Sequence, residues 1–106
     1  MMPLENLVTI LKSTEMDVAY QHFKAEDDVD MPFITYQEVA SNNFIADGKV
    51  YAKVSHLYVT LWTEKKDVTA EQTLEGVLDS HDIPWLKNES YLEDEQCYEI
   101  TYEVEV

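Results

Sequence analysis

The sequence predicts an α+β fold: an antiparallel sheet of about four strands, including a long hairpin, with two helices packed on one face. Two patterns lead to this prediction. Apolar residues recur at helical spacing near residues 4–14 and 69–80, whereas they alternate with polar residues in other segments. A length of 106 residues suits one domain, so residues 1–106 are expected to fold as a single unit.

Each predicted helix carries one apolar stripe. The first helix is predicted over Leu4–Thr14, with its stripe at Leu4, Leu7, Val8 and Leu11. The second is predicted from about Thr69 to Ser80. A capping box of Thr69 and Gln72 would begin it, and Asp67 is the alternative cap. The residues expected to be buried are Ala70, Leu74, Val77 and Leu78, and those expected in water are Glu71, Glu75 and Asp79.

Four segments carry strand patterns, and a short extended piece at Val18–Phe23 precedes them. The predicted strands are Pro32–Val39, Val50–Thr63, Trp85–Leu92 and Cys97–Val106. In Val50–Thr63 both faces are partly apolar, which predicts that helices cover one face and a partner the other. The last two strands are separated by a short acidic connection, so they are expected to form an antiparallel hairpin.

The charge balance excludes several classes of function. There are 22 acidic residues against 7 basic ones, all of them Lys, for a formal charge of −15. Such a chain would repel nucleic acid and anionic membrane surfaces, so neither specific DNA binding nor membrane binding is expected. No apolar run is long enough to span a bilayer, and the first residues lack the pattern of a secretion signal. The single cysteine, Cys97, suits a reducing cytoplasm at synthesis.

No catalytic, cofactor-binding or metal-binding residue is predicted. The three histidines and Cys97 lie too far apart in sequence for a local zinc motif, and carboxylates around Cys97 would raise the pKa of its thiol. The acidic run before Pro32 lacks the glycine and the distal glutamate of a calcium loop. A small hydrolase is disfavoured because no nucleophile and base are paired.

Five stretches of the chain resemble a family of small phage and prophage proteins. They are Ala19–Phe23, Pro32–Tyr36, Ser41–Asp47, Leu61–Asp67 and Tyr91–Glu103. The family is the tail terminators, also called tail-to-head joining or tail-completion proteins, of long-tailed phages that infect Gram-positive bacteria. The resembling stretches are spread along the chain from residue 19 to residue 103.

The resemblance implies a structural role without enzymatic activity or cofactor. Tail terminators are similar α+β proteins that form homo-oligomers, as hexameric rings, on the end of the tail tube. The ring stops polymerisation of the major tail tube protein and docks onto the head connector or stopper protein, and DNA passes through its centre. The expected location is the virion head–tail joint, after synthesis in the bacterial host cytoplasm.

Two groups of residues are candidates for this role. The candidate contact with a neighbouring subunit or the tube is formed by Asn43, Phe44, Ile45 and Ala46, an apolar tip between turn signals. Folding of Phe44 and Ile45 back onto their own core is the alternative. The candidate acidic lining of the ring lumen or its rim is formed by Glu26, Asp27, Asp28 and Asp30.

The acidity also suits a different class of protein. An acidic inhibitor that mimics DNA could block a host nuclease or repressor, because spaced carboxylates imitate phosphates. The two classes differ in where the acids lie. A mimic needs one continuous acidic face, whereas a ring subunit needs apolar lateral surfaces.

Overall fold

The computed structural model describes residues 3–22, 29–41, 44–46, 48–52 and 54–106. Within these residues the chain forms two helices and seven strands. They are α1 (Leu4–Lys12), β1 (Asp17–Tyr20), β2 (Phe33–Ser41), β3 (Phe44–Ala46), β4 (Lys49–Ala52), β5 (Ser55–Thr63), α2 (Val68–Ser80), β6 (Trp85–Leu92) and β7 (Cys97–Glu105). None of the helices in these residues is long and apolar enough to cross a membrane.

The main sheet has five strands in the order β1-β2-β5-β7-β6. β1 runs parallel to β2, and the other neighbours are antiparallel. The α+β class is confirmed, but the prediction of about four antiparallel strands is wrong in detail. The short extended piece joins the sheet as a parallel edge strand, and twelve residues separate it from β2, about the length that a connection between parallel strands needs.

The core lies between one face of this sheet and both helices, as predicted. Alternate residues of the central strands point into it, and α1 and α2 contact each other above them. Leu57, Val59 and Leu61 of β5 have no exposed surface. The other fully or nearly fully buried apolar residues are Leu7, Leu11, Ile34, Leu74, Leu78, Ile100, Tyr102 and Val104. In α1, Ile10 is also buried, whereas the predicted Val8 is only half-buried.

Helix α2 begins with the alternative cap. The Asp67 carboxylate accepts a hydrogen bond from the Ala70 backbone N–H at 3.0 Å, which satisfies one of the free donors of the first turn. The helix extends over Val68–Ser80, one residue earlier than predicted. Its predicted polar face is partly wrong, because Glu71 is among the most buried residues of the protein, with 2% of its surface exposed.

The predicted strand Val50–Thr63 divides into β4 and β5. β2 and β5 pair as far as Ser41 and Ser55, and β3 and β4 continue the hairpin as a separate two-stranded sheet. The register of β2 against β5 shifts between Glu38 and Ala40, which bends the strand just before this extension. We call β3, β4 and the turn between them the arm. The chain measures 49 × 28 × 23 Å along its principal axes.

Candidate functional site

The arm contains most of the residues predicted to contact a neighbour. Phe44–Ala46 forms β3, and Asn43 lies outside the described residues. Ile45 pairs with Val50 of β4. The predicted apolar tip forms a strand, and the chain turns at Gly48, whose φ of 72° favours glycine. Among the described residues, β3 and β4 contact each other more than either of them contacts any other helix or strand.

The predicted acidic lining falls mainly outside the described residues. This applies to Glu26, Asp27 and Asp28. Asp30 is described, and it is exposed in the segment that leads into β2. The structure therefore places one of these four carboxylates, that of Asp30, at the protein surface.

Over the described residues, no helix covers the sheet face opposite α1 and α2, and the centre of this face is aromatic. The rings of Phe33 on β2 and Trp62 on β5 lie 6.3 Å apart. The Trp62 Nε1–H donates to the Thr35 hydroxyl at 2.9 Å, and the ring helps to bury that threonine, which is only 6% exposed. Tyr58 remains more than a third exposed on this side of the sheet. We call these four residues the open face.

An acidic row runs beside the open face. Glu99, Glu103 and Glu105 lie on one side of β7, with Thr101 between the first two, and their side chains leave the sheet on the side away from the helices. The Glu105 carboxylate is 3.5 Å from Nδ1 of His56 on β5. The residues predicted to face inwards, Ile100, Tyr102 and Val104, are buried. On the predicted water-facing side, Glu105 is exposed, and Glu99, Thr101 and Glu103 are half-buried.

A charged cluster joins α2 to β6 on the helix side of the sheet. Glu71 Oε2 lies 2.8 Å from Lys66 Nζ, and Glu71 Oε1 contacts Lys87 Nζ. Lys87 Nζ is also 2.8 Å from Glu75 Oε2, which accepts a 2.6 Å hydrogen bond from the buried Tyr102 hydroxyl. Lys66 and Lys87, which both lie outside α2, therefore offset the free-energy cost of burying the Glu71 carboxylate on the inner side of the helix.

The cluster shifts the pKa of several of its groups. Burial raises the pKa of the Glu71 carboxyl, but the ammonium groups of Lys66 and Lys87 outweigh burial and hold it below its usual value. Burial and the Glu75 carboxylate together raise the pKa of Tyr102 far above its usual value. At neutral pH the Glu71 carboxyl therefore stays ionised and the Tyr102 hydroxyl stays protonated, as their contacts with the lysines and with Glu75 require. We call this cluster of Lys66, Glu71, Glu75, Lys87 and Tyr102 the clamp, because it holds α2 to β6 and β7.

The remaining reactive groups are dispersed. Cys97 is buried, and burial together with Glu95 and Glu99 raises the pKa of its thiol, as predicted. Over residues 3–22, 29–41, 44–46, 48–52 and 54–106, no group of three or more His, Cys, Asp or Glu side chains is placed to hold a metal ion. A groove of about 590 Å³ lies at the end of the sheet near His81, with Ile83 and Val106 among its lining residues.

Sequence reasoning missed the charged cluster, although a signal for Glu71 was present. Glu71 stands three residues before Leu74 and seven before Leu78, so it lies on the same side of α2 as the apolar stripe. Its lysine partners come from the preceding loop and from a strand, and their approach is decided by tertiary packing.

Comparison with protein-family models gives no match for this chain, and comparison with curated proteins gives none either.

Proposed function

We propose that this protein is a structural component of a long-tailed phage that caps the tail tube and forms part of the head–tail joint. In this proposal it acts as a hexameric ring through which DNA passes, between the major tail tube protein and the head connector or stopper protein. The proposal begins from the sequence resemblance given above. The observation that carries it further is the surface left outside the helix-covered core, namely the arm and the open face.

The arm supports a role in assembly. Phe44–Ala46 has a sequence of three apolar residues, yet it belongs to a two-stranded sheet separate from the main sheet. A two-stranded hairpin is marginally stable alone and gains stability when another surface packs against it. A neighbouring subunit or the tube end would supply that surface.

The open face supports the same role. Phe33, Trp62 and Tyr58 lie on the side of the sheet that the helices leave uncovered. Aromatic residues are enriched in protein interfaces, where they bury a large area at low cost in side-chain entropy. A ring subunit needs lateral surfaces of this kind.

The charge of the protein suits a channel for DNA. Six copies at −15 each carry about −90 formal charges, and a wall of that sign repels phosphate rather than holding it. We propose that Glu26, Asp27, Asp28 and Asp30 line the lumen or its rim. The same repulsion opposes ring closure in free solution, so the tube end or added salt would favour the ring.

The direct experiment is negative-stain electron microscopy of the protein mixed with purified tail tubes. Rings at tube ends are expected, and tubes should stop growing at normal length when the protein is present. Single variants Phe44→Asp and Ile45→Asp should lose end binding, whereas Val68→Asp should keep it. Val68 is a matched control because it is an exposed apolar residue at the start of α2, away from the arm.

Absence of end-bound rings with the unchanged protein would contradict the function. If end-bound rings persist in both arm variants, the role of the arm is contradicted but the capping function is not. For the lumen, amide replacement of the four acids in the 26–30 segment should slow DNA ejection or create DNA binding. Unchanged ejection together with absent DNA binding would contradict that assignment.

An acidic DNA mimic remains the second candidate, and the row of Glu99, Glu103 and Glu105 favours it. Along β7, Glu103 and Glu105 stand about 6.7 Å apart and Glu99 lies about twice that distance from Glu103, so all three place negative charge on one side of the strand. The aromatic open face beside the row is not required by this function. Inhibition of DNA digestion in a host extract, with no association with tail tubes, would favour the mimic over the tail protein.

A further inference from the structure

Strand β6 forms one edge of the main sheet, and among the residues that the structure describes no strand pairs with its outer side. It is the last strand in the sheet, its eight residues pair with β7 without a register shift, and its inner six residues are all exposed. Leu86 is 72% exposed and Tyr91 is 50% exposed. Natural edge strands are usually shortened, bulged or interrupted by proline, because a free row of backbone donors and acceptors invites another strand. β1, the opposite edge, has only four residues.

The charges of β6 are self-complementary. Its charged residues are Lys87 and Glu89, so the strand is neutral in a chain of charge −15. The two lie two positions apart and share the helix side of the sheet. If two copies of β6 pair antiparallel about a two-fold axis at Asn88, Lys87 of each copy stands opposite Glu89 of the other. Opposed side chains in such a pair have Cβ atoms about 4.5–5.5 Å apart, which is within reach of an ion pair.

Other registers lose this complementarity. An axis at Lys87 places two ammonium groups opposite each other, and an axis at Glu89 does the same with two carboxylates. Like charges directly opposed destabilise a strand pair. The axis at Asn88 also brings the charged cluster of one copy beside that of the other. Within each copy, Lys87 contacts Glu71 and Glu89 contacts Lys66.

We infer that two copies of this chain associate through β6, antiparallel about a two-fold axis at Asn88, and so form one continuous sheet with all helices on the same side. The inference goes beyond the proposed function. A two-fold contact closes on itself and recruits no third copy, so it describes the free protein rather than a ring on the tail. The high negative charge of each copy opposes the contact, so the dimer should strengthen as ionic strength rises.

Cysteine cross-linking tests the pairing and its register. In a Cys97→Ala background, Asn88→Cys should form a disulfide-linked dimer under mild oxidation. Cα atoms of opposed residues lie about 4.5–5.5 Å apart, which is inside the range of disulfides. Leu86→Cys alone should not cross-link, but its mixture with Ser90→Cys should, because these positions face each other across the axis. Gln72→Cys, exposed on α2, is the matched control.

Cross-linking of Asn88→Cys no better than Gln72→Cys would overturn the inference. Equal cross-linking of Leu86→Cys alone would overturn the register. Sedimentation of the protein without cysteine substitutions gives an independent test. A dimer that strengthens with salt is expected, and Leu86→Glu should weaken it about tenfold, which is about 1.4 kcal/mol. Val39→Glu, on β2 and away from this edge, should not weaken it.

A protein that is monomeric at every salt and protein concentration would also overturn the inference. Circular dichroism of each variant checks that it is folded. The outcome is independent of tail binding. Failure to dimerise leaves the proposed capping function standing, and failure to bind tail tubes leaves the dimer standing.

Discussion

Replacing the buried Glu71 with glutamine should destabilise the protein at neutral pH and should do so less at acidic pH. Gln keeps the volume and one acceptor oxygen of the side chain. It removes the negative charge that lies 2.8 Å from Lys66 Nζ and in contact with Lys87 Nζ. It also places an amide N–H₂ group beside two ammonium groups, which cannot accept its hydrogen bonds.

The size of the expected loss in the free energy of unfolding follows from how exposed the two lysine partners of Glu71 are. Breaking a fully buried ion pair costs about 3–5 kcal/mol, and breaking an exposed one costs about 0–1 kcal/mol. Glu71 is buried, but the side chains of Lys66 and Lys87 are 44% and 32% exposed, so water screens part of the interaction. We therefore expect a loss of about 2 kcal/mol in the free energy of unfolding.

The pH dependence separates the charge from other effects of the substitution. The folded pKa of Glu71 lies below its ordinary value of 4.5, so its stabilising contribution is present above that value. This contribution is lost as the pH falls through the depressed folded pKa, because the carboxylate then becomes neutral. Gln does not titrate, so the difference between the two proteins should shrink as the pH falls below 4.5.

Urea denaturation followed by circular dichroism, at neutral pH and at about pH 3, measures both quantities. Glu64→Gln is the matched control, because Glu64 is exposed in the loop before α2 and its replacement should stay within about 0.5 kcal/mol. A loss below about 0.5 kcal/mol at neutral pH, or a loss that does not shrink in acid, would refute the clamp.

Two further substitutions test contacts on either side of the sheet. Asp67→Ala removes the cap that accepts from Ala70 N–H, and urea denaturation should show a loss of about 1 kcal/mol, whereas Asp67→Ser should restore most of it. Trp62→Phe removes the 2.9 Å hydrogen bond to the buried Thr35 hydroxyl and should cost about 1–3 kcal/mol in the same measurement. A neutral effect of Asp67→Ala would argue that another group caps α2. An equal loss when Trp62→Phe is made in a Thr35→Val background would show that packing, and not the hydrogen bond, carries the effect.

Much of the fold follows from local periodicity. The alternation in β7 places Ile100, Tyr102 and Val104 on one side, and all three are buried. The spacing of Leu74 and Leu78 places them on the inner side of α2 in the same way. These predictions succeed because the direction of a side chain within a helix or strand depends on the residue's own position in the element.

Predictions that depend on distant contacts were less complete. The extended piece that forms β1 has a recognisable composition, but its parallel pairing with β2 is a contact between separate segments of the chain. The division of one predicted strand into β4 and β5 depends likewise on where the arm leaves the sheet. Neither the direction of a strand's pairing nor its partner is encoded in its own alternation.

For the candidate surfaces too, the sequence predicts the local feature and the structure decides which residues meet. The sequence identified Phe44–Ala46 as an apolar segment outside the helical and long-strand patterns, and the structure adds that it is a strand of the arm. The sequence could not indicate that Phe33 and Trp62 meet on an uncovered side of the sheet, because that depends on the pairing of β2 with β5.

By itself, the sequence determined the class of fold, the inner faces of its helices and strands, and a charge of −15 that disfavours binding to nucleic acid and anionic membranes. Only the tertiary structure decided that Glu71 is buried, that the main sheet is mixed, and that β6 lies at an edge of the described sheet. The physical reason is that periodicity is a property of one segment and net charge is a sum over all residues, so neither depends on how the chain folds. Burial of a charge and exposure of an edge depend on which groups other elements bring beside them.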